Sequence, residues 1–287
     1  MYPAAFEYFA PRTVDEALEL LARHGEDAKI LAGGQSLLPM MKLRIANPRC
    51  LIDVNRIDGL AGLRKDGDRL VIGALCRHAD IAASPIVREH LAIMLDAANQ
   101  TADVQVRNRG TVAGSLAHAD PAGDWPAALM ALDTSVTIAS KSGRRTLPLA
   151  DFMVDAYTTQ VGAGEIVVEI SVGIPARPGG GAYVKFEKRA GDFAVASAGV
   201  QLGLDGDRCR TAAISLGAVG ATPIRARAAE TLLQGQAISP DLLGEAERLV
   251  RDAADPFPDT RGSVEYKRHL AGVLFRRSFA IALNRAR

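Results

Sequence analysis

Two segments of the sequence place glycines beside hydroxyl side chains. Residues 32–36 read AGGQS and begin at the last residue of the apolar run AKILA, and residues 108–115 read NRGTVAGS. Because glycine has no side chain, consecutive glycine N–H groups form an open concavity that attracts a phosphate group. Serine and threonine hydroxyls add donors for a phosphate or a sugar. Each segment is therefore a candidate site for a phosphorylated ligand.

The glycines of these segments also have other interpretations. The first segment lacks the Lys-Ser or Lys-Thr pair of a P-loop and the G-x-G-x-x-G pattern of a Rossmann fold, so neither ATP nor NAD binding in those folds is implied. A tight turn between a strand and a helix explains its glycines equally well. Two such turns together can hold one extended ligand from both sides, and a dinucleotide with its two phosphates would need both.

A metal site is the competing interpretation of the histidine and aspartates that follow the second segment. The pattern H-x-D-x-x-x-D, formed by His118, Asp120 and Asp124, can supply an imidazole and carboxylates to a divalent cation. Its spacing matches no established metal motif, and a loop histidine beside Asp-Pro is more often structural. Serine catalysis is not indicated, because neither Ser36 nor Ser115 lies in a G-x-S-x-G motif. The remaining histidines are expected to face solvent: His24, His78, His90 and His269.

The composition is that of a folded protein with one large or two modest cores. The chain has 287 residues, 48% of them hydrophobic and 23% charged, which excludes the disordered, collagen-like and coiled-coil classes. A net charge of +1 provides no broad field for nucleic acid or an acidic membrane surface. No apolar run reaches the ~18 residues of a membrane span, and the opening MYPAAFEYFAPRTV lacks a signal-peptide pattern, so a cytoplasmic location is expected.

The chain has three cysteines, which lie far apart and form no C-x-x-C pair: Cys50, Cys76 and Cys209. This spacing argues against a disulfide framework, a zinc site or an iron–sulfur site in this chain. We expect buried free thiols. If the protein takes part in iron–sulfur electron transfer, another subunit must hold the clusters.

Periodicity and capping signals predict the elements around the glycine segments. Thr13-Val-Asp-Glu16 is a capping box that begins a helix, and Gly25 ends it. Further helices are expected over residues 85–99 and from Pro126 onward. Buried strands are predicted at residues 28–32, 50–54, 70–76 and 165–172, with a hairpin at Ser142-Gly143.

The stretch IPARPGGG, residues 174–181, is the most loop-like part of the chain and marks the predicted domain boundary. Beyond it, consecutive strands are expected in AYVKFEKR, FAVASAGVQLGL and CRTAAISLGAV, the last two joined by a hairpin at Asp205-Gly206. Helices opened by Thr222-Pro223, Ser239-Pro240 and Ser263 follow. Strands first and helices last indicate an α+β domain.

The two glycine segments, with their flanks, resemble those of a known family. AGGQSLLPMMKLR and RNRGTVAGSLAHADPAGDWPA are similar to the two FAD-binding segments of the medium, flavoprotein subunit of molybdenum hydroxylases. That family includes carbon monoxide dehydrogenase, quinoline oxidoreductase, nicotine and caffeine dehydrogenases, and the flavin domain of xanthine dehydrogenase. The similarity covers essentially the whole chain, since YVKFEKRAGDFAVAS, GAVGATPIRARAAETLLQG and EYKRHLAGVLFRRSFAIAL also look like later stretches of the family.

The resemblance implies an α+β protein with a vanillyl-alcohol-oxidase (PCMH) type FAD-binding fold. In that fold, FAD lies between two N-terminal α/β subdomains, and a C-terminal antiparallel sheet with helices covers part of it. The expected division is an FAD-binding domain at residues 1–176, with subdomains at about 1–58 and 59–176, and a C-terminal α+β domain at residues 177–287.

The resemblance also implies which residues contact the cofactor. Residues 32–36 and 111–115 are expected to hold the pyrophosphate and the adjoining sugar, and Asp124 is expected near the polar portion. Lys185 and Asp192 match residues beside the flavin ring, where a lysine ammonium would stabilise the anion formed on reduction. No catalytic residue and no metal ligand is expected. The full set of expected cofactor contacts is Lys29, Ala32, Gly33, Gly34, Gln35, Ser36, Thr111, Ala113, Gly114, Ser115, Asp124, Lys185, Asp192 and Phe193.

Two of these residues have simpler interpretations, and two depart from the family pattern. Lys185 can be an exposed strand lysine, and Asp124 can be a plain helix N-cap worth ~1 kcal/mol. Ala113 stands where the family commonly has the first glycine of a pair, so it adds a methyl group at the second segment. Phe193 stands where many members have tyrosine, and it has no hydroxyl to donate.

The implied function is electron transfer within a larger enzyme. Substrate would be oxidised at a molybdopterin cofactor in a large subunit, electrons would cross two [2Fe–2S] clusters in a small subunit, and FAD in this chain would pass them to an external acceptor. The family forms a dimer of heterotrimers, and we expect no nucleic acid partner and no membrane span. The alternatives are a stand-alone nucleotide- or sugar-phosphate-binding hydrolase, metal-assisted through His118 and Asp120, and a scaffold with degenerate turns.

Overall fold

The computed structural model describes residues 2–176 and 179–287. Its strands are β1 Glu7–Phe9, β2 Ala28–Leu31, β3 Cys50–Asp53, β4 Leu63–Asp66, β5 Arg69–Gly73, β6 Thr134–Ser140, β7 Gly143–Pro148, β8 Met153–Asp155, β9 Thr158–Thr159, β10 Ile166–Gly173, β11 Gly179–Phe186, β12 Ala196–Asp205, β13 Arg208–Gly217 and β14 Ile224–Arg225. Its helices are α1 Val14–His24, α2 Leu37–Lys42, α3 His78–Ala83, α4 Pro85–His90, α5 Ala92–Gln100, α6 Val104–Arg107, α7 Val112–His118, α8 Asp124–Met130, α9 Leu149–Phe152, α10 Arg227–Leu233, α11 Pro240–Ala253 and α12 Val264–Ala286. Within the two described ranges, no helix has the length and apolar character needed to cross a membrane.

The first sheet is parallel and has the strand order β1-β3-β2. Cys50 of the central strand lies opposite Glu7 on one side and Ala28 on the other. Helix α1 covers this sheet, and it begins where the capping signal predicted, because the Thr13 hydroxyl accepts a hydrogen bond from the Glu16 N–H at 3.1 Å. The first glycine segment leaves the sheet directly at the end of β2.

The second sheet is antiparallel and has the order β4-β5-β10-β6-β7. Its central strand β10 places Ile170 between Ile72 and Val136, and all three side chains are fully buried. Helices α3, α4, α5, α7, α8 and α9 add buried residues to this core, which includes the fully buried Trp125. The second glycine segment runs from the end of α6 into α7.

The first two sheets share a core. The cluster that contains Ile52 and Val54 of the first sheet region also contains Ala139, Ile166 and Val168 of the second sheet. Because close-packed side chains resist displacement, this shared core fixes the two glycine segments relative to each other.

The third sheet is antiparallel, with the order β11-β12-β13-β14, and helices α10, α11 and α12 cover it. Its strands are rich in glycine and alanine, and the buried helix residues Phe275 and Phe279 fill the space above them. Strands followed by helices give the α+β arrangement that the sequence predicted.

Most predicted elements are confirmed. The structure contains α1, the strands β2, β3, β5 and β10, the hairpins at Ser142-Gly143 and Asp205-Gly206, and the helices opened by Ser239-Pro240 and Ser263. The cysteines are free and buried, as expected.

The prediction of a loop at residues 174–181 is wrong for residues 179–181, because these three glycines begin β11. A Cβ atom at Gly180 would lie 2.7 Å from the backbone nitrogen of Ala286 and closer still to the Ala282 carbonyl oxygen. The glycine run therefore allows α12 to lie directly on the strand, a contact that local sequence does not reveal. Residues 177 and 178 of the predicted loop lie outside the described residues.

Other helix boundaries also differ from the predictions. The helix expected over residues 85–99 is two helices, which meet at the fully buried Leu91. Helix α8 begins at Asp124, two residues before Pro126. The expected helix at Thr222-Pro223 begins only at Arg227, because residues 224 and 225 first pair with β13.

The helix contact at Gly180 predicts a matched pair of effects on stability. Gly180→Ala should lower the free energy of unfolding by about 1–3 kcal/mol, because its methyl group overpacks against α12. Gly244→Ala should raise it by about 0.5–1 kcal/mol, since Gly244 lies in α11 with nothing within 4 Å of its Cβ position. Urea unfolding of both variants measures the difference. Equal effects at the two positions would contradict the packing explanation.

Candidate functional site

The two glycine segments lie against each other, although they are far apart in the sequence. A Cβ atom added at Gly33 would come within 2.7 Å of the Gly110 Cα and still closer to the Arg109 carbonyl oxygen. Real Cβ atoms do not approach backbone this closely, so only glycine fits at position 33. The backbone of the second segment is therefore what excludes a side chain from Gly33.

Gly34 is a glycine for a conformational reason. Its φ of +74° lies in the left-handed region that favours glycine. Among the hydrogen bonds of the described residues, none uses the backbone N–H of Gly33, Gly34 or Gln35 as its donor. The hydroxyl of Ser36, at the start of α2, makes no capping bond. The first segment therefore offers a run of backbone and hydroxyl donors, which is the donor set that suits a phosphate.

The second segment is partly helical, which corrects its description as a turn. Thr111 caps α7, and its hydroxyl accepts a hydrogen bond from the Gly114 N–H at 3.0 Å. A Cβ atom at Gly114 would lie 2.7 Å from that hydroxyl, so glycine at this position protects the cap. Ala113 and Ser115 lie in the first turn of the same helix. The Ala113 methyl group packs in the core of the second sheet, so it does not stand between the two segments.

Asn55 and Arg77 connect the two glycine segments by hydrogen bonds. The Asn55 side-chain amide donates to the Ala32 carbonyl oxygen at 2.9 Å and to the Asp53 carboxylate at 2.6 Å. The Arg77 guanidinium donates to the Asn55 side-chain oxygen and, at 2.6 Å, to the carbonyl oxygen of Arg109. A continuous series of hydrogen bonds therefore connects the first segment to the second.

Neither Asn55 nor Arg77 is among the residues predicted from the sequence. Each follows a buried strand, since β3 ends at Asp53 and β5 at Gly73. Polar residues in the loops just beyond buried strands are often functional, so the positions of Asn55 and Arg77 after β3 and β5 are a sequence signal for them. Their contact with each other is a tertiary feature that spacing along the chain does not predict.

A buried charge cluster joins α8 to the third sheet. The Lys185 ammonium lies 3.3 Å from the Asp124 carboxylate and 3.0 Å from the Glu187 carboxylate, and it donates to the Asp192 carbonyl oxygen at 2.9 Å. The Tyr183 hydroxyl donates to Asp124 at 2.8 Å. The Lys185 side chain is 1% exposed. Its interpretation as an exposed strand lysine is therefore wrong.

Asp124 is held inside the protein by this cluster. Burial raises the pKa of its carboxyl group, against the lowering effects of the Lys185 charge and the Tyr183 hydrogen bond. The N-cap of α8 is Gly123, so the interpretation of Asp124 as a plain N-cap is also wrong. Removing one partner of such a buried pair leaves an uncompensated charge, which is strongly destabilising.

Asp192 and Phe193 lie at a cavity of about 370 Å³, and Phe193 is 47% exposed. The Arg261 guanidinium lies 5.7 Å from the centre of that ring. Arg261 also borders a second cavity, of about 260 Å³, together with Asp120 and Tyr157.

Two predicted residues of the first segment region are exposed, Lys29 on β2 and Gln35. Apart from Lys29, the predicted residues therefore lie at two places, the contact between the glycine segments and the region around Lys185.

His78 does not face solvent, contrary to expectation. It is 5% exposed and its ring stacks on Trp125, with 5.5 Å between ring centres. A Cβ atom at Gly110 would lie 2.7 Å from His78 Nε2, so the histidine packs directly beneath the second glycine segment. Burial lowers the pKa of His78 to about 4, with the charges of Arg77 and Arg107 acting in the same direction.

The metal interpretation of the H-x-D-x-x-x-D pattern gains no support. Across residues 2–176 and 179–287, no group of three His, Cys, Asp or Glu side chains is placed to hold a metal ion. The His118 ring instead packs against Tyr157, whose hydroxyl donates to Asp120 at 3.3 Å. Asp124 is engaged by Lys185.

The chain contains a small parallel sheet and a larger antiparallel sheet, whose glycine segments lie against each other, and an α+β unit follows them. This arrangement defines a PCMH-type FAD-binding fold. The two parts of the chain match two known protein families. Residues 4–176 match the FAD-binding domain of molybdopterin dehydrogenases, and residues 181–282 match the C-terminal domain of carbon monoxide dehydrogenase flavoproteins. The chain belongs to this family, the flavoprotein subunits of molybdenum-containing oxidoreductases.

Individual relatives match over nearly their full length. The carbon monoxide dehydrogenase medium chain of Hydrogenophaga pseudoflava is 40% identical, over 98% of each chain. The 6-hydroxypseudooxynicotine dehydrogenase complex subunit alpha of Paenarthrobacter nicotinovorans is 39% identical, over 100% of this chain and 97% of the relative. A solved structure of the Hydrogenophaga pseudoflava enzyme aligns with a TM-score of 0.97 and 42% identity over 99% of each chain. Quinoline 2-oxidoreductase from Pseudomonas putida 86 aligns with a TM-score of 0.95 and 34% identity, over 100% of this chain and 99% of that chain.

The buried, neutral His78 predicts a loss of stability in mild acid. Its pKa is about 4 in the folded protein against 6.5 as the ordinary value. The contribution of neutral His78 to the free energy of unfolding is therefore complete above its ordinary pKa of 6.5. This contribution is lost as the pH falls toward 4. Between pH 7 and pH 5, His78 should account for about 2 kcal/mol of lost unfolding free energy.

Urea unfolding at pH 7 and pH 5 measures this effect. His78→Asn should show a smaller pH dependence than the unaltered protein, whereas His269→Gln, at an exposed position, should match the unaltered protein. An unchanged pH dependence in His78→Asn would show that this histidine is not the titrating group.

Proposed function

We propose that this chain is the electron-transfer subunit of a heterotrimeric molybdenum hydroxylase, and that its FAD takes electrons from [2Fe–2S] clusters of a partner and passes them to an external acceptor. The observation that carries the proposal is the backbone contact between the two glycine segments, in a chain that matches flavoprotein subunits from end to end. Bound FAD supplies the ability to exchange one or two electrons. The chain itself binds, orients and shields the cofactor.

The first segment and α7 form the proposed binding site for the FAD pyrophosphate and adjoining sugar. The backbone N–H groups of Gly33, Gly34 and Gln35 suit phosphate oxygens, and the hydroxyls of Ser36 and Ser115 add donors. These residues therefore fit the cofactor by their chemistry. Lys29, Ala32, Thr111, Ala113 and Gly114 complete the proposed set, of which Thr111 and Gly114 shape the start of α7.

The second group of residues is proposed to lie beside the flavin ring. Asp192 and Phe193 border a cavity, and the buried Lys185 holds the Asp192 backbone in place. The Lys185 charge would favour an anionic, reduced ring. Asp124 positions that ammonium, because its carboxylate lies within 3.3 Å of it. Phe193 can cover a ring face without donating a hydrogen bond.

The proposed assembly is a dimer of heterotrimers. A large subunit would hold the molybdopterin cofactor and a small subunit the two [2Fe–2S] clusters, while this chain binds neither nucleic acid nor membrane. The solved carbon monoxide dehydrogenases include a form described as lacking the Mo-pyranopterin moiety of its molybdenum cofactor, which supports a molybdenum-bearing partner. We propose a cytoplasmic location, which suits three buried free thiols. The proposed domains are residues 1–176, with subdomains at about 1–58 and 59–176, and residues 177–287.

The contact at Gly33 predicts that this position controls flavin binding. Gly33→Ala should weaken FAD binding about tenfold or more, because its methyl group pushes the two segments apart. The purified chain is titrated with FAD, and quenching of flavin fluorescence gives the Kd. Gly244→Ala, remote from both segments, should bind FAD normally. A Gly33→Ala protein with an unchanged Kd would refute the proposed site, and an unaltered chain that does not bind FAD would refute the proposed function.

The proposed assembly predicts a fixed metal content. When the chain is tagged in its native host and purified with its partners, the complex should contain about one molybdenum and about four iron atoms per FAD, because two [2Fe–2S] clusters hold four irons. Elemental analysis and the flavin absorbance measure the ratio. Recovery of the chain without molybdenum or iron-bearing partners would contradict the assembly.

A further inference from the structure

We propose that Arg77 and Asn55 act as a positioning pair, which holds the first glycine segment against the second and thereby determines how tightly the chain retains FAD. This inference rests on the proposed function. It concerns two residues outside the glycine segments themselves.

The pair provides the hydrogen-bonded link between the segments. In the part of the chain that the structure describes, no hydrogen bond joins residues 32–36 directly to residues 108–115. The connection passes through the amide of Asn55 and the guanidinium of Arg77, which reach Ala32 and Arg109 respectively. Without the pair, the direct contact between the segments would be the van der Waals contact at Gly33, and the shared core of the two sheets would hold them only indirectly.

The pair also orients a donor of the proposed phosphate site. A peptide bond is planar and trans, so fixing the Ala32 carbonyl oxygen fixes the direction of the Gly33 N–H in the same peptide unit. Asn55 binds that carbonyl at 2.9 Å. The Gly33 N–H is therefore directed before any ligand arrives, and such preorganisation increases affinity by lowering the entropy cost of binding.

Both partners are themselves held in place. The Asn55 side chain and backbone N–H donate to Asp53 at 2.6 and 2.9 Å, and Asp53 accepts the Tyr8 hydroxyl at 2.6 Å. The Arg77 backbone N–H donates to the Asp80 carboxylate at 2.8 Å. The Asn55 side chain and the Arg77 backbone are therefore each held by a bond outside the link itself.

The role requires the shape of arginine as well as its charge. A guanidinium presents several N–H donors in a rigid plane, so it can bind the Asn55 oxygen and the Arg109 carbonyl at once. A lysine ammonium carries the same charge as a single point and does not reproduce this fork. Arg77→Lys therefore separates a geometric role from a purely electrostatic one.

Arg69 provides a matched control near Arg77 in the sequence. It lies at the start of β5, whereas Arg77 lies just beyond its end. Its guanidinium also bridges several acceptors, the Ser171 hydroxyl at 2.6 Å, the Asp133 carboxylate at 2.7 Å and the Asp133 carbonyl oxygen at 3.1 Å. Arg69→Lys thus breaks a comparable set of contacts without touching either glycine segment.

The first test measures FAD affinity by fluorescence quenching. Arg77→Lys and Asn55→Ala should each raise the Kd about tenfold or more, and the double variant should be little worse than either single variant, because both act through one link. Arg69→Lys should change the Kd by less than about twofold. Arg77→Lys binding like the unaltered chain while Arg77→Gln binds weakly would assign the effect to charge and overturn the proposal. A loss in Arg69→Lys equal to that in Arg77→Lys would also overturn it.

The second test needs no cofactor. Hydrogen–deuterium exchange of the FAD-free chain should be faster in residues 32–36 and 108–115 of Arg77→Lys and Asn55→Ala, and unchanged there in Arg69→Lys. Melting temperatures of the FAD-free variants separate this local effect from global destabilisation. Unchanged exchange in both segments would refute the positioning role. If the unaltered chain does not bind FAD but exchange responds as expected, the proposed function fails and the structural link stands.

Discussion

The structure depends on a backbone contact at Gly33, where the first glycine segment meets the Arg109–Gly110 backbone of the second. No side chain fits between them, because a Cβ at Gly33 would overlap the second segment. The glycines therefore serve two purposes. They let the two segments touch, and they leave backbone N–H groups exposed along the contact. A binding site made of backbone depends on the position of whole segments, so the rest of the fold must hold those segments still.

The sheets and their cores supply that rigidity. The first sheet delivers its segment from the end of β2, and its core includes Ala139 and Ile166 of the second sheet. Helix α7, which contacts β10 of the second sheet, carries part of the other segment. Beneath the contact, His78 packs against Gly110 and stacks on Trp125. A tightly packed interior transmits little displacement, so the segments have little freedom to separate.

A buried charge cluster defines the second part of the candidate site. The Lys185–Asp124 pair, with Tyr183 and Glu187, links α8 to β11 across the boundary between the matched families. Isolated buried charges are costly, but a cluster in which each charge has partners is specific in its geometry. A lysine held in this way places a positive charge beside the Asp192 backbone, which suits the proposed role of holding a redox cofactor.

The sequence alone determined the main elements, the α+β class and the family, because caps, hairpin turns and motif blocks are local patterns. It also picked out Gly33, Gly34 and Gly114. Only the tertiary structure showed why Gly180 belongs to a strand, why Lys185 is buried, and that Asn55 and Arg77 join the two segments. Each of these facts depends on a residue distant in sequence: α12 lies over Gly180, Asp124 faces Lys185, and Arg109 accepts from Arg77. Contacts of this kind arise from packing between elements, and packing is decided by the folded chain as a whole.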